Sequence, residues 1–142
     1  MEGNLTNLQS LLLNSNYFTG PIPDVWGNMS SLKMLDLSSN YLNGGLPASF
    51  VGKKRINFKY WCLQGLTSIE HFLLSSNALE GPLNIPSLFQ TLMNTVRFVV
   101  SGNQFNGTLS AYLAYLPNLR ILALNNNKFY GTIPDAVRNE VL

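Results

Sequence analysis

Three side chains could do chemistry together: His71, the single histidine of the 142 residues, with Asp36 and Ser75. All three fall at strand-like positions of a repeating pattern, so a face shared by neighbouring turns would offer a base, an acid and a hydroxyl. A nucleophile, however, needs its base within hydrogen-bond reach and donors for the oxyanion. An irregular stretch after Phe50 lies between the turns that carry Asp36 and His71, and no catalytic role is expected of them. Zinc asks for three or four convergent ligands, so one histidine and one cysteine, Cys62, imply neither a metal site nor a cofactor. Lys53, Lys54, Arg55 and Lys59 lie just upstream of Cys62 and would lower a thiol pKa, but without a matched histidine Cys62 reads as a small apolar residue. Three triplets could accept an N-linked glycan: Asn4-Leu5-Thr6, Asn28-Met29-Ser30 and Asn106-Gly107-Thr108. Composition alone, with 18 Asn and 20 Ser plus Thr, gives between two and three, so their number says nothing about export.

Composition narrows the classes further. Charged residues make up 11% and apolar residues 46%, which excludes disorder driven by charge. No apolar run approaches the ~18 residues that span a bilayer, and Met1-Glu2-Gly3-Asn4 opens with neither a basic nor an apolar leader region. A net charge of +2 cannot build the basic stripe that nucleic acid needs. A single cysteine excludes an internal disulfide framework.

What positions the polar residues is a repeat. Leu supplies 25 residues and Asn 18, and both fall in register. One copy reads Leu5, Leu8, Leu11, Leu13, Asn16, Phe18, Gly20, Ile22, Pro23, and the next Leu32, Leu35, Leu37, Asn40, Leu42, Gly44, Leu46, Pro47. The pattern returns around Asn77, Asn103 and Asn127, the anchors lying 24, 37, 26 and 24 residues apart. Within each copy the LxL step has the two-residue period of a strand. A unit of about 24 residues cannot bury its own apolar face, whereas stacked units share one core and align their strands in parallel. Inward-facing Asn16, Asn40, Asn77, Asn103 and Asn127 can then satisfy backbone groups of adjacent turns with both ends of the carboxamide, which Leu would leave unpaired. Gly20, Gly44, Gly81, Gly107 and Gly131 suit bends of positive φ. Pro23, Pro47 and Pro134 stop the segment from donating to a ladder. The copies around Asn77 and Asn103 carry Asn84 and Ser110 where that proline would stand.

The stretches Asn16-Tyr17-Phe18-Thr19-Gly20-Pro21-Ile22-Pro23 and Asn127-Lys128-Phe129-Tyr130-Gly131-Thr132-Ile133-Pro134 resemble the plant-specific class of extracellular leucine-rich repeats. That class occurs in receptor-like kinases, receptor-like proteins and polygalacturonase inhibitors. The resemblance implies an α/β fold over residues 1–142 as one domain: a right-handed solenoid with a parallel sheet on the concave face and short helical or 3-10 turns on the convex side. It also implies binding rather than catalysis, as part of a ligand-sensing ectodomain, with a peptide or protein ligand, a co-receptor as a further partner, and no nucleic acid. A full-length member is expected at the plasma membrane facing outward. This chain shows no signal peptide, transmembrane segment or cysteine-paired caps and reads as a fragment that does not itself insert into a membrane. A secreted polygalacturonase-inhibitor-like protein, an ectodomain piece of a receptor kinase and a non-functional gene fragment remain as alternatives.

The alignment also yields the solvent side of the concave sheet. Ser10, Met34, His71, Arg97 and Ile121 precede the first inward residue, and Leu12, Asp36, Leu73, Val99 and Ala123 separate the two inward ones. Asn14, Ser38, Ser75, Ser101 and Asn125 follow. An apolar stripe rimmed by Ser and Asn and marked by Asp36, His71 and Arg97 suits a peptide or protein surface, with Leu12, Met34, Asp36, His71, Leu73, Arg97, Val99, Ile121 and Ala123 as its contact residues. Trp26 and Met29 are expected to pack on the return segment. The 37-residue interval leaves residues 51–65 irregular, with four of the nine basic residues and an alternating Ile56, Phe58, Tyr60 run. They form either a projecting binding loop or a degenerate repeat.

Overall fold

The structure is a computed structural model that describes residues 5–51, 53–55, 61–63, 66–83 and 86–139. Each LxL step forms a three-residue strand: β1 (Ser10–Leu12), β3 (Met34–Asp36), β7 (His71–Leu73), β9 (Arg97–Val99) and β11 (Ile121–Ala123). They pair in that order as one parallel sheet. Register is constant, so Ser10, Met34, His71, Arg97 and Ile121 stand in one row and Leu12, Asp36, Leu73, Val99 and Ala123 in another.

The residues after each anchor form a second parallel sheet, which the repeat pattern did not lead us to expect. It comprises β2 (Thr19–Pro21), β4 (Tyr41–Gly44), β8 (Ala78–Pro82), β10 (Gln104–Gly107) and β12 (Lys128–Phe129), stacked in chain order. Its glycines take the left-handed conformation, for example φ +92° at Gly81 and +88° at Gly107, so the ladder turns away before Pro23 and Pro47. Short helical pieces return the chain on the convex side: 3-10 turns at Trp26–Asn28, Ala48–Val51, Leu92–Asn94 and Ala111–Tyr115, with helices α1 (Pro86–Thr91) and α2 (Asp135–Asn139). Ser110, in the place of a proline, accepts from the Tyr112 N–H at 3.2 Å and caps the 3-10 turn Ala111–Tyr115.

Between the sheets and the convex turns runs one core. Leu35, Phe72, Phe98, Leu74, Val100, Leu79 and Phe105 are all buried within it, as the alternation requires. Trp26, Phe50, Phe72 and Phe98 form a chain of ring contacts with centroids 5.2, 5.4 and 5.5 Å apart, tilted, edge-on and stacked in turn. Such pairs add to burial alone. Trp26 and Met29 are buried on the return segment, and the Trp26 indole N–H donates to the Pro23 carbonyl.

A polar clasp joins the first two convex turns. Asp24 accepts from the Ser49 N–H at 2.7 Å, and the Ser49 hydroxyl accepts from the Trp26 N–H at 3.1 Å. The Ser49 side chain, and then its backbone N–H, hold the Asp24 carboxyl below its ordinary value of 3.8. A folded-state value below the unfolded one gives stability that is complete above the unfolded value and is lost as pH falls through the folded one. Asp24→Asn should therefore lower the thermal midpoint at about pH 6 and by a smaller amount at about pH 2. A gap of equal size at both pH values would refute the clasp.

The irregular segment contributes β5 (Lys53–Arg55) and β6 (Trp61–Leu63), paired antiparallel with Lys54 opposite Cys62. This pair belongs to neither solenoid sheet. The Ile56, Phe58, Tyr60 run lies outside the described residues, as do Asn4 and Asn84. The side chain of Cys62 is likewise outside them.

Candidate functional site

The anchoring asparagines set the geometry on which the concave face rests. Asn40 Nδ2 donates to the carbonyls of Leu37 and Ser38 in its own turn and to Leu13 of the previous turn at 2.9 Å, while its Oδ1 accepts from the Phe18 N–H. Asn77, Asn103 and Asn127 repeat this pattern, bonding back to Leu37, Leu74 and Val100 at 3.0, 2.9 and 2.9 Å. Their oxygens accept from the Leu42, Leu79 and Phe105 N–H groups. Each carboxamide thus joins both sheets and two turns. Among the described residues Asn16, exposed at the first turn, donates only within its own turn, to Leu13 and Asn14.

The residue before each anchor carries a signal that the repeat reading missed. Ser15, Ser39, Ser76 and Asn126 have φ of +56 to +58°, and Gly102 has +67°. Left-handed backbone disfavours most side chains by about 1–2 kcal/mol, which explains why small or polar residues recur there.

On the concave sheet Leu12 is 56% and Ile121 45% exposed. Ser10 and Arg97 are also exposed, while Met34, Asp36, His71, Leu73, Val99 and Ala123 are half-buried. The nine contact residues named from the alignment therefore share one face. Five strands at a spacing of ~4.8 Å make it roughly 19 Å wide, room for an extended segment of five or six residues. His71 Nδ1 is shut off from solvent and has no hydrogen-bond partner among the described residues, a state that a buried polar atom on a closed surface rarely keeps.

The structure corrects one expectation about this face. The irregular segment does not separate the turns of Asp36 and His71, because β3 pairs directly with β7 and Met34 stands beside His71. Asp36 nevertheless faces Leu73 across the ladder, and its Oδ1 accepts from both the N–H and the hydroxyl of Ser38. Its carboxylate is thus committed locally rather than to an imidazole. Among the described residues no group of three His, Cys, Asp or Glu side chains converges as a metal site would. No helix among them is long and apolar enough to cross a membrane.

Sequence reasoning also missed a flanking charge pair. Lys33 Nζ lies 3.1 Å from Glu70 Oε1 at the N-terminal ends of β3 and β7. The two residues occupy the same repeat position, one before Met34 and one before His71, but the 37-residue interval concealed that they are neighbours. An apolar hollow of about 260 Å³, lined by Leu13, Phe18, Ile22, Trp26, Leu37 and Leu42 among others, opens at the β1 end and not on this face.

Comparison with known proteins agrees with this architecture. Two leucine-rich-repeat family models match residues 6–58 and 118–139. Receptor-like protein 7 of Arabidopsis thaliana is 40% identical over 70 residues, 49% of this chain but 6% of that protein. The plant peptide hormone receptor RGFR1, solved with RGF2, superposes with a TM-score of 0.80 at 28% identity, over 95% of this chain and 19% of the receptor chain. A chain of the BIR3–SERK2 complex from Arabidopsis thaliana gives 0.78 at 29% identity, over 94% of this chain and 63% of the other. This chain thus spans a small part of the first two. Repeat, fold and similarity agree, and the chain belongs to the leucine-rich-repeat family, with plant receptor ectodomains as its structural neighbours.

Proposed function

We propose that this chain is a peptide- or protein-binding segment of the ligand-sensing ectodomain of a plant cell-surface receptor, displayed outside the cell and acting by binding without catalysis. The observation that carries this reading is the concave face itself. Two aligned rows of mainly apolar side chains are marked by Asp36, His71 and Arg97 and rimmed by Ser and Asn. Apolar area supplies affinity, and a few fixed polar groups set register. The similarity to a receptor solved with a peptide and to a complex of two ectodomains supports a peptide ligand and a co-receptor as partners.

The test is selection of random displayed peptides on the folded chain, followed by binding to variants. Leu73→Glu would set a second carboxylate beside Asp36, so Val99→Glu, between Leu73 and Ala123, is the cleaner change. It should weaken the selected peptides by about 2 kcal/mol, roughly thirtyfold, as expected of a contact at the centre of an interface. Tyr112→Ala, exposed on the convex side, should leave them unchanged. Trp26 is unsuitable as that control because it is buried. Equal binding by Val99→Glu and the parent would reject the concave face as the site.

A further inference from the structure

Successive turns of the solenoid are joined by one repeating set of hydrogen bonds. Between the turns anchored at Asn16 and Asn40, the N–H groups of Leu13, Ser15 and Asn16 donate to the carbonyls of Asp36, Ser38 and Ser39. Between those anchored at Asn103 and Asn127, the N–H groups of Val100, Gly102 and Asn103 donate in the same way to Ala123, Asn125 and Asn126. In the other direction the Asn40 carboxamide takes the Leu13 carbonyl and the Phe18 N–H, and Asn127 takes the Val100 carbonyl and the Phe105 N–H.

The two ends of the stack hold the separate halves of one more such joint. On the Asn127 turn the N–H groups of Leu124, Asn126 and Asn127 take no partner among the described residues. The Leu124 carbonyl accepts there from Asn127 alone, whereas the Leu37 carbonyl accepts from both Asn40 and Asn77. On the Asn16 turn the carboxamide Oδ1 takes no donor, and Nδ2 reaches no other turn, among the described residues. Strands β1 and β11 each keep one bare edge, as do β2 and β12. The apolar rows show the same break: Phe18 is 47% exposed, whereas Leu42, Leu79 and Phe105 in its row are buried. Opposite the hollow at β1, another of about 310 Å³ opens at the Asn127 turn, lined by Leu116, Leu119, Leu122 and Val137 among others.

We propose that copies of this chain associate head to tail, the Asn16 turn of one seated on the Asn127 turn of another, so that β1 adds to β11 and β2 adds to β12. The N–H groups of Leu124, Asn126 and Asn127 then donate to the carbonyls of Leu12, Asn14 and Ser15 of the second copy. Asn16 of that copy takes the Leu124 carbonyl and the Phe129 N–H, as Asn127 takes those of Val100 and Phe105. Phe129 covers Phe18, and both hollows close. Lys128 occupies the same repeat position as Tyr17 and Tyr41, whose rings stack at 6.2 Å, and its ammonium reaches one turn back to Gln104 Oε1 at 3.0 Å. Across the joint its neighbour is Tyr17, an exposed ring that can receive a cation on its face. Bare strand edges and an uncovered core are what such a contact removes. Because the two patches differ, the contact is heterologous and the stack stays open to growth. Two like ends brought together would close as a pair and leave Asn16 without Leu124 and Phe129. The association is independent of what the concave face binds.

Sedimentation velocity of the 142-residue chain should show an average mass that rises with concentration past that of a dimer. Phe18→Lys obstructs one end and Ile133→Lys the other, and both replace exposed side chains. Each variant, folded by far-UV circular dichroism, should be monomeric alone. Their mixture should form a one-to-one pair and stop there, because each protein keeps the end that the other has lost. Tyr17→Ala and Lys128→Ala, at exposed positions, should each raise the concentration of half-association about fivefold. Glu80→Lys, exposed in the middle of the second sheet, should leave it unchanged. A parent that stays monomeric at every concentration or stops at a dimer would overturn the proposal, as would a folded end variant that associates alone like the parent. Should either end variant fail to fold, unchanged association of both Tyr17→Ala and Lys128→Ala would overturn it equally.

Discussion

Asn103→Ala is expected to lower stability by about 3 kcal/mol, the upper end of the penalty for stranding buried polar groups. Asn103 is 7% exposed. Its Nδ2 donates to the carbonyls of Leu74 at 2.9 Å, Val100 at 3.1 Å and Ser101 at 3.4 Å, and its Oδ1 accepts from the Leu79 N–H at 3.0 Å. Alanine removes every one of these partners and leaves no room for several waters to replace them. Asn103→Asp is a sharper comparison, because it keeps an acceptor for Leu79 but turns a second oxygen toward three carbonyls. It should be at least as damaging as alanine at neutral pH. Urea unfolding followed by far-UV circular dichroism checks both, the midpoint falling by roughly 2 M at a slope of ~1.5 kcal/mol/M. A midpoint within about 0.3 M of the parent would show that the carboxamide ladder does not hold the turns together.

Phe72→Ala should be larger still, about 3–5 kcal/mol, the range for deleting a buried ring. Phe72 is fully buried, meets Phe50 edge-on at 5.4 Å and stacks on Phe98 at 5.5 Å. It is also the middle residue of β7, so its ring supports the backbone that presents His71 and Leu73 to solvent. The cavity would open where the turns before and after the irregular segment meet, and a solenoid has only nearest-neighbour contacts to bridge it. Phe72→Leu, which fills most of the space, should cost less than half as much. Thermal melts of the three proteins distinguish the outcomes. Equal midpoints for alanine and leucine would mean that the ring chain is incidental to the core.

Much of this fold was legible because its determinants are local and periodic. The LxL step, the anchor asparagines and the glycines at positive φ each follow from the chemistry of one residue type at one place in a turn. The two concave rows followed from alternation alone. The second sheet was less accessible, since Thr19–Pro21 and Ala78–Pro82 contain glycine and proline, which ordinarily argue against strands. A ladder forms there because each short segment lies beside its copy in the next turn. The left-handed conformation at Ser39 and Ser76 was hidden because serine has no strong preference for it. The pairing of β3 with β7 was missed for a different reason. Separation along the chain does not set separation in space, because a loop can lengthen at little free-energy cost while its ends stay fixed. The long interval also concealed the Lys33–Glu70 pair and the position of Met34 beside His71.

The direct pairing of β3 with β7 makes the concave face a ruler whose graduations are set by hydrogen bonds and not by chain length. Asp36 and Leu73 stand one graduation apart although 36 residues lie between them in the chain. Anything lying along that face meets an unbroken scale. The chain can therefore gain, lose or exchange residues between Val51 and Leu66 while the marks that a ligand reads stay where they are.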